Sequence, residues 1–370
     1  MIVKYIECYR CKKRFPSDTI IFQCDKCGCS LDLIYDYNKI KEHILHDSVK
    51  KGEIRHWKYW PFYPIEHLDK IVTMNEGGTP LLESNKQKGL FFKYEGVNPT
   101  CSFKDRGTTV EISRVRELGI KEVVCASTGN MGASVAAYSA RAGIKATIYV
   151  PTFASLSKLK QIVSYGAGLV RVKGTYEDTL NKTKELREKT GVYLTGDYPY
   201  RGEGEKSVGF EIIDQMNWNI PDYLVCPIGN GTLIYGIYKG LVEFKKTGLI
   251  KKIPRIVGVQ ASGCNPIVEA FKRKKREFIA VKKPKTEAGA IACGNPVDGF
   301  EALDSLYNTK GLAVDVTDKE MSLAKKELGK EGIYAELSGA ASFAAVKKLN
   351  IKGTIVCVVT GHGLKDAGKL

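Results

Sequence analysis

From about residue 90 onward, short runs of aliphatic and β-branched residues alternate with longer stretches of helical periodicity. The pattern predicts strands over 90–94, 123–126, 146–150, 169–172, 223–227, 256–260 and 354–360. Between them it predicts helices over 102–118, 134–142, 156–165, 176–190, 234–246, 321–331 and 340–349. A strand followed by a helix, many times over, implies parallel strands joined by crossover helices. No internal repeat and no low-complexity segment interrupts the rhythm. The economical architecture is therefore α/β, with two open parallel-sheet domains and a cleft between them. Residues 1–35 stand apart as a cysteine-bearing unit, 36–100 with 205–370 form the larger domain, and 101–204 form the smaller one. Within 36–75 an aromatic-rich linker (Trp57, Tyr59, Trp60, Phe62, Tyr63) is expected to pack along the body.

At 370 residues and 43% hydrophobic, the chain can bury one large core or two moderate ones. Its net charge of +16 invites a nucleic-acid reading, but Lys and Arg are spread along the whole length. The densest run, Lys272 to Arg276, follows the apolar stretch 266–271 and reads as a solvated helix end. A positive field of this kind suits small anionic, phosphorylated substrates. No apolar run approaches a membrane span, and the first residues lack the apolar segment of a signal peptide, so a cytoplasmic chain is expected.

The 11 cysteines change the picture only at the N-terminus. Cys125, Cys226 and Cys357 lie inside apolar strands, as small buried thiols in a reducing compartment do. Cys8-x-x-Cys11 and Cys24-x-x-Cys27, with 12 residues between the pairs, are different. Two such knuckles close a tetrahedral zinc site, and the metal then supplies folding energy that so short a segment lacks. Cys29 is a possible substitute for Cys24 or Cys27. Free surface thiols or a secreted disulfide framework are the other readings, and the second fits poorly without a signal segment.

Four loops at strand ends carry the chemistry. In Asn98 to Gly107, Lys104 opens a helix, where backbone N–H groups disfavour a charged ammonium, as a Schiff-base lysine requires. By itself it would read far more readily as an ordinary first-turn lysine. Ser127-Thr128-Gly129-Asn130 precedes a small-residue helix and offers a nest for a carboxylate. Gly229-Asn230-Gly231-Thr232-Leu233 stands between strand and helix, where close backbone approach and a helix N-terminus suit phosphate. It lacks the P-loop lysine and the full G-x-G-x-x-G pattern, which speaks against an ATPase or a dinucleotide enzyme. Thr360 to Asp366 follows the last strand. Its His362 has no nucleophile motif to serve and reads as well as a structural histidine.

The order of these loops resembles the fold-type II pyridoxal-phosphate enzymes, the tryptophan synthase β-like fold, and within them the archaeal type of the threonine synthase family. The resemblance covers nearly the whole chain: the cysteine ribbon, Glu76 to Leu81, Ser102 to Gly107, Ser127 to Asn130, Glu203-Gly204, Gly294-Asn295-Pro296 and Thr360 to Asp366. It implies that Lys104 carries pyridoxal 5′-phosphate and shuttles protons at the substrate carbons. It implies that Phe103 lies against the ring, Asn130 bonds the phenolic oxygen, Gly229 to Leu233 cradle the phosphate and Thr360 faces the ring nitrogen. Thr79, Ser127, Thr128 and Arg201 are implied as substrate contacts, Cys8, Cys11, Cys24 and Cys27 as zinc ligands, and a homodimer as the assembly.

Several positions depart from the family pattern. Cys101 stands where glycine is usual, Met131-Gly132 replaces Thr-Ser, and the phosphate loop reads Gly-Asn-Gly-Thr. Thr195 to Arg201 replaces a stretch of amides and a hydroxyl that holds substrate phosphate, keeps Arg201 and adds Asp197. The expected reaction is O-phosphohomoserine plus water to threonine plus phosphate. The departures leave open β-replacement or β-elimination on a serine derivative, as in a cysteate or cysteine synthase using O-phosphoserine, or a serine/threonine deaminase. From another class, a zinc-ribbon nucleic-acid-binding protein with an inactive enzyme-like body ranks last.

Overall fold

The computed structural model describes residues 2–46, 49–127, 129–152, 154, 156–174, 176–196 and 199–366. Along the chain, β1 (Val3–Cys8), β2 (Arg14–Phe15) and β3 (Leu31–Tyr35) come first, followed by α1 (Tyr37–His46), β4 (Leu81–Glu83), β5 (Leu90–Tyr94) and α2 (Lys104–Glu117). The middle holds β6 (Glu122–Ala126), α3 (Asn130–Ala142), β7 (Lys145–Pro151), α4 (Leu156–Ser164), β8 (Gly168–Val172), α5 (Tyr176–Thr190) and β9 (Tyr193–Thr195). Then come α6 (Pro199–Gln215), β10 (Tyr223–Pro227), α7 (Thr232–Lys246), β11 (Arg255–Ala261), α8 (Pro266–Lys272) and α9 (Gly299–Asn308). The chain closes with β12 (Leu312–Val316), α10 (Asp318–Gly329), α11 (Leu337–Leu349) and β13 (Ile355–Val359).

The expected parallel sheets are there. One has six strands in the order β12-β11-β10-β13-β5-β4, parallel except for the short edge strand β4. The other has four parallel strands, β8-β7-β6-β9. The central strand β13 (IVCVV) is buried at every position, as a strand covered by helices on both faces must be. A third, small antiparallel sheet, β2-β1-β3, belongs to the cysteine unit. The linker aromatics pack as expected: Phe62 and Tyr59 are buried against Phe210 and Phe244. No helix among the described residues is long and apolar enough to cross a membrane.

The largest departure from the expected elements is α6, 17 residues with no predicted counterpart. It is buried almost end to end, yet Glu203, Glu205, Lys206, Ser207 and Glu211 are among its buried residues, so no apolar stripe marks it. Its closeness to α2 depends on glycine at the crossing. A Cβ on Gly204 would lie 2.0 Å from the Arg106 carbonyl oxygen, and one on Gly107 would lie 2.6 Å from Arg201 Cγ. Two backbones that touch this closely hold the first turn of α2, and Lys104 with it, against a rigid neighbour.

Candidate active site

The segment before α2 is stitched to the end of the chain. Phe103 N–H donates to Thr360 O at 3.0 Å, and His362 N–H donates to Cys101 O at 3.0 Å. Glu336, just ahead of α11, donates its own N–H to Gly361 O at 2.9 Å. Lys104 and Thr360, 256 residues apart by subtraction of their numbers, are thereby neighbours. Cys101 takes φ +67, a left-handed conformation that costs a side-chain-bearing residue about 1 kcal/mol, which accounts for the family's glycine there. Lys104 is the first residue of α2, and its Nζ lies 4.5 Å from the centre of the Phe103 ring.

Asn130 opens α3, four residues earlier than the pattern indicates, because Ser127 Oγ accepts from the Gly129 and Gly132 N–H groups and organises the turn. Asn130 Nδ2 donates to Glu336 Oε2 at 2.9 Å, and the Thr360 hydroxyl donates to Glu336 Oε1 at 3.4 Å. One carboxylate therefore joins two expected cofactor contacts that come from different sheets. Burial pushes the Glu336 carboxyl up to about 7, against the hydrogen bond from Asn130. Sequence reasoning passed over Glu336; its signal was a lone acidic residue directly before the small-residue run 338–342. A Cβ on Gly361 would sit 2.5 Å from Glu336 Oε1, so glycine there is what admits the carboxylate.

The phosphate-type loop is built as expected at a helix N-terminus. Gly231 has φ +102, and its Cα faces Asp298 so closely that a Cβ would come within 2.4 Å of the Asp298 carbonyl oxygen. Asn230 Oδ1 accepts from Val297 N–H at 2.7 Å, and the Thr232 hydroxyl donates to Asp298 Oδ2 at 2.5 Å. The first N–H groups of the 15-residue α7, from Thr232 and Leu233 on, have no intrahelical partners and point at the space a phosphate would fill. With a buried Ser102 Oγ that has no partner and Lys104 beside it, this donor set fits pyridoxal phosphate.

Two expected substrate contacts are engaged with other side chains of the interior. Thr79 is buried, its hydroxyl donating to Glu95 at 2.6 Å and accepting from Arg106 at 3.0 Å. Arg201 is fully buried: it donates to Lys104 O and Thr108 Oγ1, each at 2.8 Å, and faces Glu111 and Glu205 at 3.6 Å each. Their polar groups answer buried carboxylates, because an unpaired charge in that interior would be costly. Thr128 and Asp197 lie outside the described residues. His362 is structural: its Nδ1 accepts from Leu364 N–H at 3.2 Å and its ring stacks on Tyr94.

Around α2 runs a buried ionic network that the pattern did not reveal. Arg106 grips Glu95 and Glu211 in two bidentate pairs at 2.5 to 2.8 Å, and Lys93 donates to Glu211 at 2.7 Å. Burial works against ionisation of Glu211, yet Arg106 and Lys93 carry its carboxyl well below the usual range. Two cations thus meet two anions, and the network needs no counter-ion. A cavity of about 770 Å³ lies apart from all of this, between Phe22, Tyr149 and Leu186.

At the N-terminus the four expected sulfurs converge. Cys8 and Cys27 are 3.4 Å apart, Cys11 and Cys24 3.5 Å, and all four lie within 4.8 Å of one another; Cys29 is outside the group. Tetrahedral zinc–thiolate bonds of about 2.3 Å require sulfur–sulfur edges of about 3.8 Å, so this set fits zinc.

The family profile "Pyridoxal-phosphate dependent enzyme" matches residues 72–361. A threonine synthase of Methanocaldococcus jannaschii is 45% identical over 97% of this chain and 92% of its own. A threonine synthase of Methanosarcina acetivorans is 40% identical over 98% and 92%. Among solved structures, a tomato (Solanum lycopersicum) threonine deaminase superposes with a TM-score of 0.69 at 22% identity, covering 94% of this chain and 89% of that one. Maize serine racemase superposes with 0.68 at 23%, covering 77% and 88%; both likenesses speak to the fold. The chain belongs to the threonine synthase family of pyridoxal-phosphate dependent enzymes.

Proposed function

We propose that the chain converts O-phosphohomoserine and water to threonine and inorganic phosphate. What carries the reading is a near-full-length likeness to threonine synthases in a chain whose Asn130 and Thr360 meet on Glu336, with Phe103, the residue before Lys104, bonded to Thr360. Pyridoxal phosphate, when bound, supplies the sink for carbanion charge. Gly229 to Leu233 and the α7 N-terminus would hold its phosphate, Phe103 would lie beside its ring, Asn130 would bond its phenolic oxygen, and Thr360 would face its ring nitrogen. Lys104 Nζ moves protons at the substrate's α and β carbons, so that phosphate leaves the γ-carbon and water adds at the β-carbon. Ser127, just ahead of α3, and Thr128, next to it in sequence, are the candidates for the substrate carboxylate. Thr79 and Arg201 act behind this surface, holding α2 and the Lys104 carbonyl in place. The reading includes a homodimer in the cytoplasm.

Cofactor-loaded protein given O-phosphohomoserine should release threonine and phosphate in equal amounts, and release of neither would defeat the reading. Sulfur-containing product from O-phosphoserine with sulfide or sulfite, or 2-oxobutyrate from threonine, would replace it with the serine-derivative chemistry. Borohydride reduction should leave a phosphopyridoxyl group on the peptide that holds Lys104; an unmodified Lys104 overturns its role.

A further inference from the structure

The four-stranded parallel sheet is covered unevenly. Strands of such a sheet need cover on both faces. In β7, Ala146, Ile148 and Val150 are buried, and Ile148 lies beside Gly132 on α3, next to Ile162 on α4. Thr147 and Tyr149, which alternate with them, are only partly buried. Their face is met by α5 and by the loop of the cysteine unit that carries Ile20 and Phe22. The two do not close over it, and the cavity of about 770 Å³ is the space left between them. Small-molecule sites have volumes of about 300–1,000 Å³ and walls that are mostly apolar and aromatic, with a few polar groups among them. Here Phe22, Val124, Leu186 and Tyr193 supply such walls, and Ile20 is left exposed beside them.

The polar groups of the lining favour a negative guest. The hydroxyls of Thr147 and Tyr149 make no hydrogen bond to another described residue, and Arg187 forms no ion pair among the described residues. The Arg187 guanidinium lies 3.9 Å from the centre of the Phe22 ring, a cation–π contact that leaves its N–H donors unused. Of the two acidic residues in the lining, Glu122 is answered by Lys145 at 2.9 Å and Glu188 is exposed. Aromatic and aliphatic walls beside one guanidinium and two hydroxyls suit a flat apolar body with a single anionic end. We propose that this cavity is a second small-molecule site, apart from the cofactor cleft, and that it takes an aromatic carboxylate, with the charge on Arg187 and the ring between Tyr149 and Leu186. β6 enters the wall through Val124 and ends at Ala126, next to Ser127, so an occupant would touch the strand that delivers Ser127 to the candidate active site. The site is independent of the substrate reading above.

The probe is 8-anilinonaphthalene-1-sulfonate, an aromatic anion that fluoresces in apolar surroundings, titrated into the zinc- and cofactor-loaded protein. The parent should bind it saturably, and phenylacetate should displace it where 2-phenylethanol, the uncharged counterpart, does not. Arg187→Met removes the charge and keeps an unbranched side chain; loss of the charge-assisted hydrogen bonds should weaken the probe about ten-fold or more. Thr147→Trp fills the cavity and should abolish binding. Both variants should keep affinity for pyridoxal phosphate within about two-fold of the parent, since neither residue belongs to the proposed active site. Should Thr147→Trp fail to fold, Arg187→Met and the pair of displacing ligands decide. A parent that does not bind the probe overturns the assignment, as does equal displacement by the acid and the alcohol. So does a probe held as tightly by Arg187→Met as by the parent. Full binding by a folded Thr147→Trp places the probe elsewhere on the chain and overturns it too.

Discussion

The cysteine unit is fastened to the body through Asp32, and removing that carboxylate should loosen the loop that holds the cofactor phosphate. Asp32 accepts from Lys239 Nζ at 2.5 Å and from the Tyr235 hydroxyl at 2.8 Å, both on α7, whose first turn is the phosphate cradle. Around it, Tyr9 donates to Asp304 at 2.9 Å, Ser30 donates to Glu301, and Tyr35 donates to Glu203 at 2.7 Å. Asp304 and Glu301 lie on α9, whose N-cap Asp298 also bonds Thr232. The unit therefore braces the two helices whose first turns form the cradle.

In Asp32→Ala the buried Lys239 keeps Glu203, which it shares with Lys206, and the Leu33 carbonyl. Breaking a buried pair costs about 3–5 kcal/mol when the remaining charge has no other partner. Two features reduce that figure. Glu203 stays on Lys239, and Glu243, whose carboxyl burial pushes up to about 7, can ionise to help balance two ammonium groups. About 2 kcal/mol from the charge and about 1 kcal/mol from the orphaned Tyr235 hydroxyl give an expected loss of about 3 kcal/mol. Urea unfolding of the zinc-loaded protein reads this directly, and displacement of pyridoxal phosphate monitored by its absorbance reads the cradle. A variant within about 0.5 kcal/mol of the parent, with unchanged cofactor affinity, would refute the idea that Asp32 fastens the unit.

Chelation should release one metal per chain and make four additional thiols reactive, those of Cys8, Cys11, Cys24 and Cys27, while far-UV circular dichroism of the two parallel sheets is retained; a thiol count unchanged by chelation would mean no metal was held there. Glu336→Gln should alter the pH profile of stability with a defined sign. Its acid is held at about 7 against an ordinary 4.5, so the folded protein binds the extra proton and the parent loses stability as pH rises through that window, by up to about 3 kcal/mol from this group. The glutamine variant of the cofactor-free protein should lack that share of the slope and gain relative stability above pH 7, and parallel urea curves for the two proteins at pH 5 and pH 8 would contradict the assignment.

Which parts of the molecule were legible in the sequence follows from how each part is buried. β10, β13 and α7 are buried by apolar side chains, so their periodicity showed, and their ends fell within a few residues of the expected ones. Lys104, Asn130, the Gly229–Leu233 loop and the four zinc-site cysteines were legible for a different reason, because motif order along the chain exposes loop chemistry directly. α6 was not legible, since the charges it buries are matched by residues from α2, β5 and α7 that no local window contains. Glu336 escaped for the same reason: its partners Asn130 and Thr360 lie 206 residues before it and 24 after it.

The partners of Arg201 are likewise distant in sequence or hidden from a local pattern. An arginine inside a folded chain answers internal anions first, because an unpaired buried charge is costly. Glu111 lies seven residues after Lys104 on α2, and Glu205 lies one turn after Arg201 on α6. A side chain shared between these helices and the Lys104 carbonyl fixes the lysine's helix from behind, so replacing Arg201 should be felt first in folding and in the placement of Lys104.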